Sequence, residues 1–157
     1  TYGWPIGKWD VSGVTDFSHV FRDKFTFNEN IREWDVSNST NFSHMFYSAR
    51  SFNQDIGCWD VTQAISFYHM FYDAKLFAQN LSYWNTRKAT NMSCMFLRAS
   101  SFNGDISTWK TGNVRDMDFM FAHATSFSQN LSSWDVSNVL FHHLVFDGAT
   151  SFENECS

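Results

Sequence analysis

The chain has 157 residues, of which 43% are hydrophobic, 19% aromatic and only 17% charged, with a formal net charge of −5. So many aromatics and so few charges exclude a disordered chain, and 11 scattered Lys and Arg against 16 Asp and Glu exclude the basic stripe of a nucleic-acid binder. No run reaches the roughly 18–20 apolar residues of a membrane span, and no signal peptide is visible.

In chain order the sequence divides into units at about 2–26, 27–51, 52–76, 77–101, 102–126 and 127–151, with 152–157 opening a further unit. Four bulky columns recur every 25 residues without an insertion or deletion. One is Trp9, Trp34, Trp59, Trp84, Trp109 and Trp134. A second is Phe21, Phe46, Phe71, Phe96, Phe121 and Phe146. The third runs from Tyr2 through Phe27, Phe52, Phe77, Phe102 and Phe127 to Phe152, and the fourth is Ile6, Ile31, Ile56, Leu81, Ile106 and Leu131. A fixed period means equivalent places in a stack, so the whole of 1–157 reads as one repeat domain. The Trp and second Phe columns are the expected structural core. The pattern begins within a unit at Tyr2 and stops just after Phe152, which reads as a piece of a longer array.

Within each unit, Trp59-Asp60-Val61 alternates apolar and polar residues, the pattern of a short strand. A polar turn follows, as at Asp35–Asn38. Phe42, Met45, Phe46 and Ala49 then fall at i, i+3, i+4 and i+7, which predicts a short helix with Thr40 or Asn41 at its N-cap. The expected fold is therefore an α/β solenoid, a right-handed leucine-rich-repeat-like stack of six 25-residue coils, each a short strand plus a short helix. Strands are narrower than helices, so such a stack should curve with the strands inside.

The segments FNQDIGCWDVT, FNGDISTW and SSWDVSNV, with the Met45-Phe46, Met70-Phe71 and Met95-Phe96 pairs, resemble the BspA-like leucine-rich-repeat surface-protein family in its 25-residue mycoplasma-lipoprotein form. The resemblance spans the chain. It implies a solenoid at the cell surface or outside the cell, with adhesion or binding as its work and no catalytic residues to transfer. Lys24, Lys110 and His142 depart from the column patterns.

Several polar columns invite chemistry. Asp10, Asp35, Asp60, Asn85, Lys110 and Asp135 read either as a calcium ladder or as a row of Asx turns, and Lys110 favours the turns. Asn28, Asn53 and Asn103, with Asn30, Asp55, Asn80, Asp105 and Asn130, read as ladders satisfying backbone groups at the bends. His19, His44 and His69 fall on the outward helix face, with equivalent atoms about 10 Å apart, too far to share a metal. His123, His142 and His143 form a second candidate cluster. Cys58, Cys94 and Cys156 show neither disulfide nor zinc spacing. Every Ser, His and Asp belongs to a repeating column, whereas an active site breaks symmetry. No catalytic, cofactor or metal residue is assigned.

Function should then lie where exposed columns vary. On the strand side Lys8, Glu33, Tyr83 and Lys110 mark a changing ribbon, and on the helix side Tyr47, Tyr68, Tyr72, Leu97 and Phe119 mark an aromatic patch. The expectation is a non-catalytic binding or adhesion module for protein or glycan partners. The alternative is an accessory structural subunit embedded in a larger multiprotein assembly.

Overall fold

The structure is a computed structural model and describes residues 5–155, with side chains through 152. Tyr2 and Cys156 lie outside these residues. Apart from a single 3₁₀ turn over Ile6–Lys8 and one short helix, α1 (Thr150–Glu155), the described chain is built from turns.

This overturns the expected unit of one strand plus one helix. Where strands were expected, as at Trp59-Asp60-Val61, neither strand nor bridge occurs; the isolated parallel bridges lie further on, from Asp16 to Asn41, Ser66, Asn91, Asp116 and Phe141 in succession. Where the second helix was expected, His44 has φ 58° and Ser48 φ 55°, a region closed to a right-handed helix. The chain does not form an α/β, leucine-rich-repeat-type solenoid. Without strand–helix alternation, the right-handed crossover and the curvature inferred from unequal element widths have nothing to act on.

The hydrogen bonds explain the difference. Met45, Tyr47 and Ala49 donate to Phe42, His44 and Phe46, three residues back, at 3.1, 3.1 and 2.9 Å. The N–H groups between them point out of the coil. Phe42, His44, Phe46 and Ser48 donate to the carbonyls of Ser66, Tyr68, Met70 and Tyr72 at 2.7–3.0 Å. Half the backbone thus closes β-turns and half ties one coil to the next. A positive φ at the third residue of the Phe42–Met45 and Phe46–Ala49 turns is what a type II turn requires.

The apolar spacing did mark the inward side. Phe42, Met45, Phe46 and Ala49 are fully buried, because three-residue turns bring i, i+3, i+4 and i+7 to one side as a helix would. Periodicity reports which residues face the core, not which carbonyl each N–H finds.

The core is a set of aromatic columns. Phe21, Phe46, Phe71, Phe96, Phe121 and Phe146 stack with ring centroids 5.5–5.6 Å apart. Beside them run Phe27, Phe52, Phe77, Phe102, Phe127 and Phe152 at 5.8–6.0 Å. Within a coil the two columns meet at 3.8–4.1 Å. Trp84, Trp109 and Trp134 stack at 6.2 and 6.1 Å. Trp9, expected in this core, is 55% exposed, because among the described residues no coil packs beyond it.

The indole nitrogens also fasten neighbouring coils. Trp34, Trp59, Trp84, Trp109 and Trp134 donate to the carbonyls of Ile6, Ile31, Ile56, Leu81 and Ile106 at 2.9–3.3 Å. Trp84→Phe keeps a ring but removes the inter-coil donor, leaving the Ile56 carbonyl only its bond from Trp59 N–H. We expect a loss of about 0.5–1.5 kcal/mol in urea unfolding.

At the two faces of the stack this bonding stops. Among the described residues, the Ser18, Val20 and Arg22 carbonyls accept no hydrogen bond, and the His142, Leu144, Phe146 and Gly148 N–H groups find no acceptor.

Candidate functional site

One residue per coil stands out from the turn that precedes each Trp: Lys8, Glu33, Cys58, Tyr83, Thr108 and Ser133, all exposed. The Trp turns inward to reach its carbonyl, so its predecessor faces solvent. The Thr108 and Ser133 hydroxyls donate to the Ser82 and Ser107 carbonyls at 2.5 Å. Tyr83 makes no such return and is 87% exposed.

A second band lies along the turns that replace the expected helix. Tyr47 and Tyr72 stack at 4.4 Å, and the Arg22 guanidinium lies 4.8 Å from the Tyr47 ring centre. Tyr68 meets His44 and His69 edge-on at 5.0 and 4.1 Å. Leu97 occupies the coil beside Tyr72, where its carbonyl accepts from Asp73. Phe119 follows Cys94 in the histidine column. Tyr47, Tyr72, Leu97 and Phe119 are half-buried, so much of this band is coil-to-coil packing. Lys8, Glu33 and Tyr83 form a separate row.

The whole chain is also matched by a family model. The model described as "Mycoplasma protein of unknown function, DUF285" matches residues 3–96 and 79–157. The chain belongs to this family. No curated protein and no solved structure matches it.

In this DUF285 chain the polar columns are mostly turn devices. Asp10, Asp35, Asp60, Asn85 and Asp135 each accept the N–H two residues on, at 2.9–3.3 Å. The Ser12, Ser37 and Ser137 partners hold the Asp10, Asp35 and Asp135 carboxyls below the usual value. Asn30, Asp55, Asn80, Asp105 and Asn130 do the same locally, rather than forming the expected ladder. Of these two columns, the Asn28 column is the one that forms a ladder among the described residues. Asn53, Ala78 and Ser128 N–H groups bond to Asn28, Asn53 and Asn103 Oδ1. Asn41 accepts from Ser43 N–H at 3.0 Å as an N-cap would, with no helix after it.

The sequence reading missed the Gln column. The Gln54, Gln79 and Gln129 amides donate to the carbonyls of Asn28, Asn53 and Asn103 at 2.9–3.0 Å. Their recurrence at one register was the available signal.

The histidine column needs a larger correction. The rings of His19, His44 and His69 are not 10 Å apart; they stack at 4.6 and 5.0 Å. Adjacent coils are spaced like strands, not helices. The three residues share the positive-φ position with Cys94, Phe119 and Leu144. Among the described residues no group of three or more His, Cys, Asp or Glu is arranged to hold a metal. His123, His142 and His143 do not cluster around one point. His143 pairs with Asp118 at 2.9 Å and His123 with Asp147 at 3.8 Å.

The two described thiols differ. Cys58 is exposed. Cys94 is half-buried, and burial pushes its thiol up to about 11, with Asp116 and Asp118 adding to the shift. Because the thiolate is the reactive form, Cys58 is expected to react with a disulfide reagent at pH 8 at least tenfold faster than Cys94. Mass spectrometry of the labelled peptides measures this.

Proposed function

We propose that this chain is a non-catalytic binding module at the cell surface or outside the cell, presenting its stacked coils to a protein partner. The observation that carries this reading is the exposed row that includes Tyr83. The buried columns keep one residue type from coil to coil, while the exposed row runs from charged Lys8 and Glu33 through Cys58 and Tyr83 to the hydroxyls of Thr108 and Ser133. A large aromatic that is 87% exposed and makes no internal bond is free to anchor a partner. The resemblance of the repeats to BspA-like surface proteins supports the location.

The test places a photo-crosslinking residue at position 83 and another at the buried position 92. In the native source, the first is expected to give one saturable adduct that excess unlabelled chain removes and that an excess of the Tyr83→Ser chain fails to remove. Identical adducts from both positions reject the reading.

A further inference from the structure

The repeat breaks its own charge pattern at one place. The stretch after each Trp carries Asp10 and Asp16 in the first coil, Asp35 in the second and Asp60 in the third. In the fourth coil the same stretch carries Arg87 and Lys88 with no carboxylate, and in the fifth Lys110 and Arg115 beside Asp116, before Asp135 restores the first column. In a chain of net charge −5, four of the 11 cationic side chains therefore fall in this one stretch of two adjoining coils.

These cations line two neighbouring clefts. Arg87, Lys110, Asn113, Ser133 and Asp135 border one of about 370 Å³. Lys88, Thr90, Asn113 and Arg115 border a second of about 370 Å³. Asn113 is the wall between them, held by its amide donating to the Arg87 carbonyl at 2.6 Å.

The charges are also uncommitted. Elsewhere Arg22, Arg32, Arg50 and Lys75 pair with Asp23, Asp55 and Asp73. Among the described residues none of Arg87, Lys88, Lys110 and Arg115 has a carboxylate within ion-pair distance. Lys88 donates instead to the neutral Gln63 amide at 2.5 Å. Of the nearby carboxylates, Asp116 accepts from Asp118 N–H, and Asp135, on the rim of the first cleft, accepts from Ser137 N–H.

We propose that these paired clefts are the docking site for a short acidic segment of a protein partner, an inference that rests on the binding-module reading above. Arg and Lys supply charge-assisted donors for carboxylates, and Asn113 and Ser133 can meet a peptide's amides. The positive surface spans two coils, roughly 10 Å at strand-like spacing. Asp60 lies in the coil before it and Asp135 at its far edge. A long polyanion, such as a sulfated glycan or nucleic acid, would run onto those carboxylates; a segment with two or three acidic side chains would not.

The repeat itself supplies the variant. Arg87→Ser, Lys88→Asn, Lys110→Asp and Arg115→Thr install what other coils carry at the same positions, as at Ser37, Asn38, Asp35 and Thr40. The fold should therefore be kept, which a melting curve checks. The probe is a fluorescein-labelled octapeptide of alternating Glu and Gly, read by anisotropy at 50 and 200 mM salt. The native chain is expected to bind it, more weakly at the higher salt, and the fourfold variant at least tenfold more weakly. A folded variant that binds equally well, a native chain that does not bind, or tighter binding of a sulfated hexasaccharide each overturns the proposal. A chain that still crosslinks through position 83 but ignores the peptide loses this site alone. A chain that fails both tests loses the module reading as well.

Discussion

Phe71→Ala is expected to cost about 3–5 kcal/mol and to move the urea midpoint further than any other single truncation to Ala in the Phe columns. Phe71 is fully buried at the middle of the array. Its ring stacks on Phe46 and Phe96 at 5.5 Å each, lies against Phe77 at 4.0 Å and approaches Trp84 at 6.5 Å. Truncation opens a cavity to which two coil interfaces contribute, and neither side can collapse into it without moving a ladder of backbone bonds. Because each coil touches only its neighbours, stability is nearly a sum of coil and interface terms. Weakening both central interfaces should also broaden the transition. Leu76→Ala, at an exposed position of the same coil, is the control and should stay within about 0.5 kcal/mol. A Phe71→Ala loss no larger than that of Leu76→Ala would mean that the stacked rings do not carry the fold.

The same geometry explains what the sequence could and could not say. The 25-residue register and the inward side of each unit were legible, because burial leaves its mark on residue type: Phe42, Met45, Phe46 and Ala49 have to be apolar in any backbone that turns them inward. The backbone itself was not legible. A helix and a train of β-turns place the same residues inside, and the choice depends on N–H groups such as those of His44 and Ser48, whose acceptors lie 24 residues ahead. No local propensity encodes that partner. The chain also enters the left-handed region at Arg98, Phe119 and Leu144, residues that would not mark it in a sequence as Asp23 or His44 could. The wrong backbone then carried a wrong distance, since helix width separated histidines that the turns bring face to face. On the candidate surfaces, Tyr83 was legible as the large aromatic in a column that varies from coil to coil. Arg87, Lys88 and Arg115 were not, because each is an ordinary surface cation until stacking sets it beside Lys110.

Acid should loosen the stack between pH 6.5 and about 4, and the histidine column is the expected cause. Burial holds His44 and His69 at about 4 against a free value of 6.5; the other column histidines and Arg22 deepen the shift at His44, and Arg22 does so at His69. Their Nδ1 atoms are buried without a hydrogen-bond partner. Tyr47, Tyr68 and Tyr72 surround the rings and offer no carboxylate. Both imidazoles are therefore neutral in the folded chain at pH values where the unfolded chain binds protons. The stabilisation is fully present above pH 6.5, falls as the pH drops towards 4, and changes no further below that. The full shift corresponds to at most about 3 kcal/mol for each ring, and partial solvent exposure reduces this to about 1–2 kcal/mol. The Asx-turn carboxylates such as Asp35 and Asp105 are lowered from 3.8, so their contribution is lost only in more acidic solution, and the two windows separate. His44→Phe with His69→Phe keeps stacked rings and removes the titration. Phe119 already holds φ 55° in the same column, so the backbone accepts it. Urea midpoints at pH 7.5 and 4.5 should differ clearly in the native chain and much less in the double variant. An equal drop in both would place the acid sensitivity outside the histidine stack.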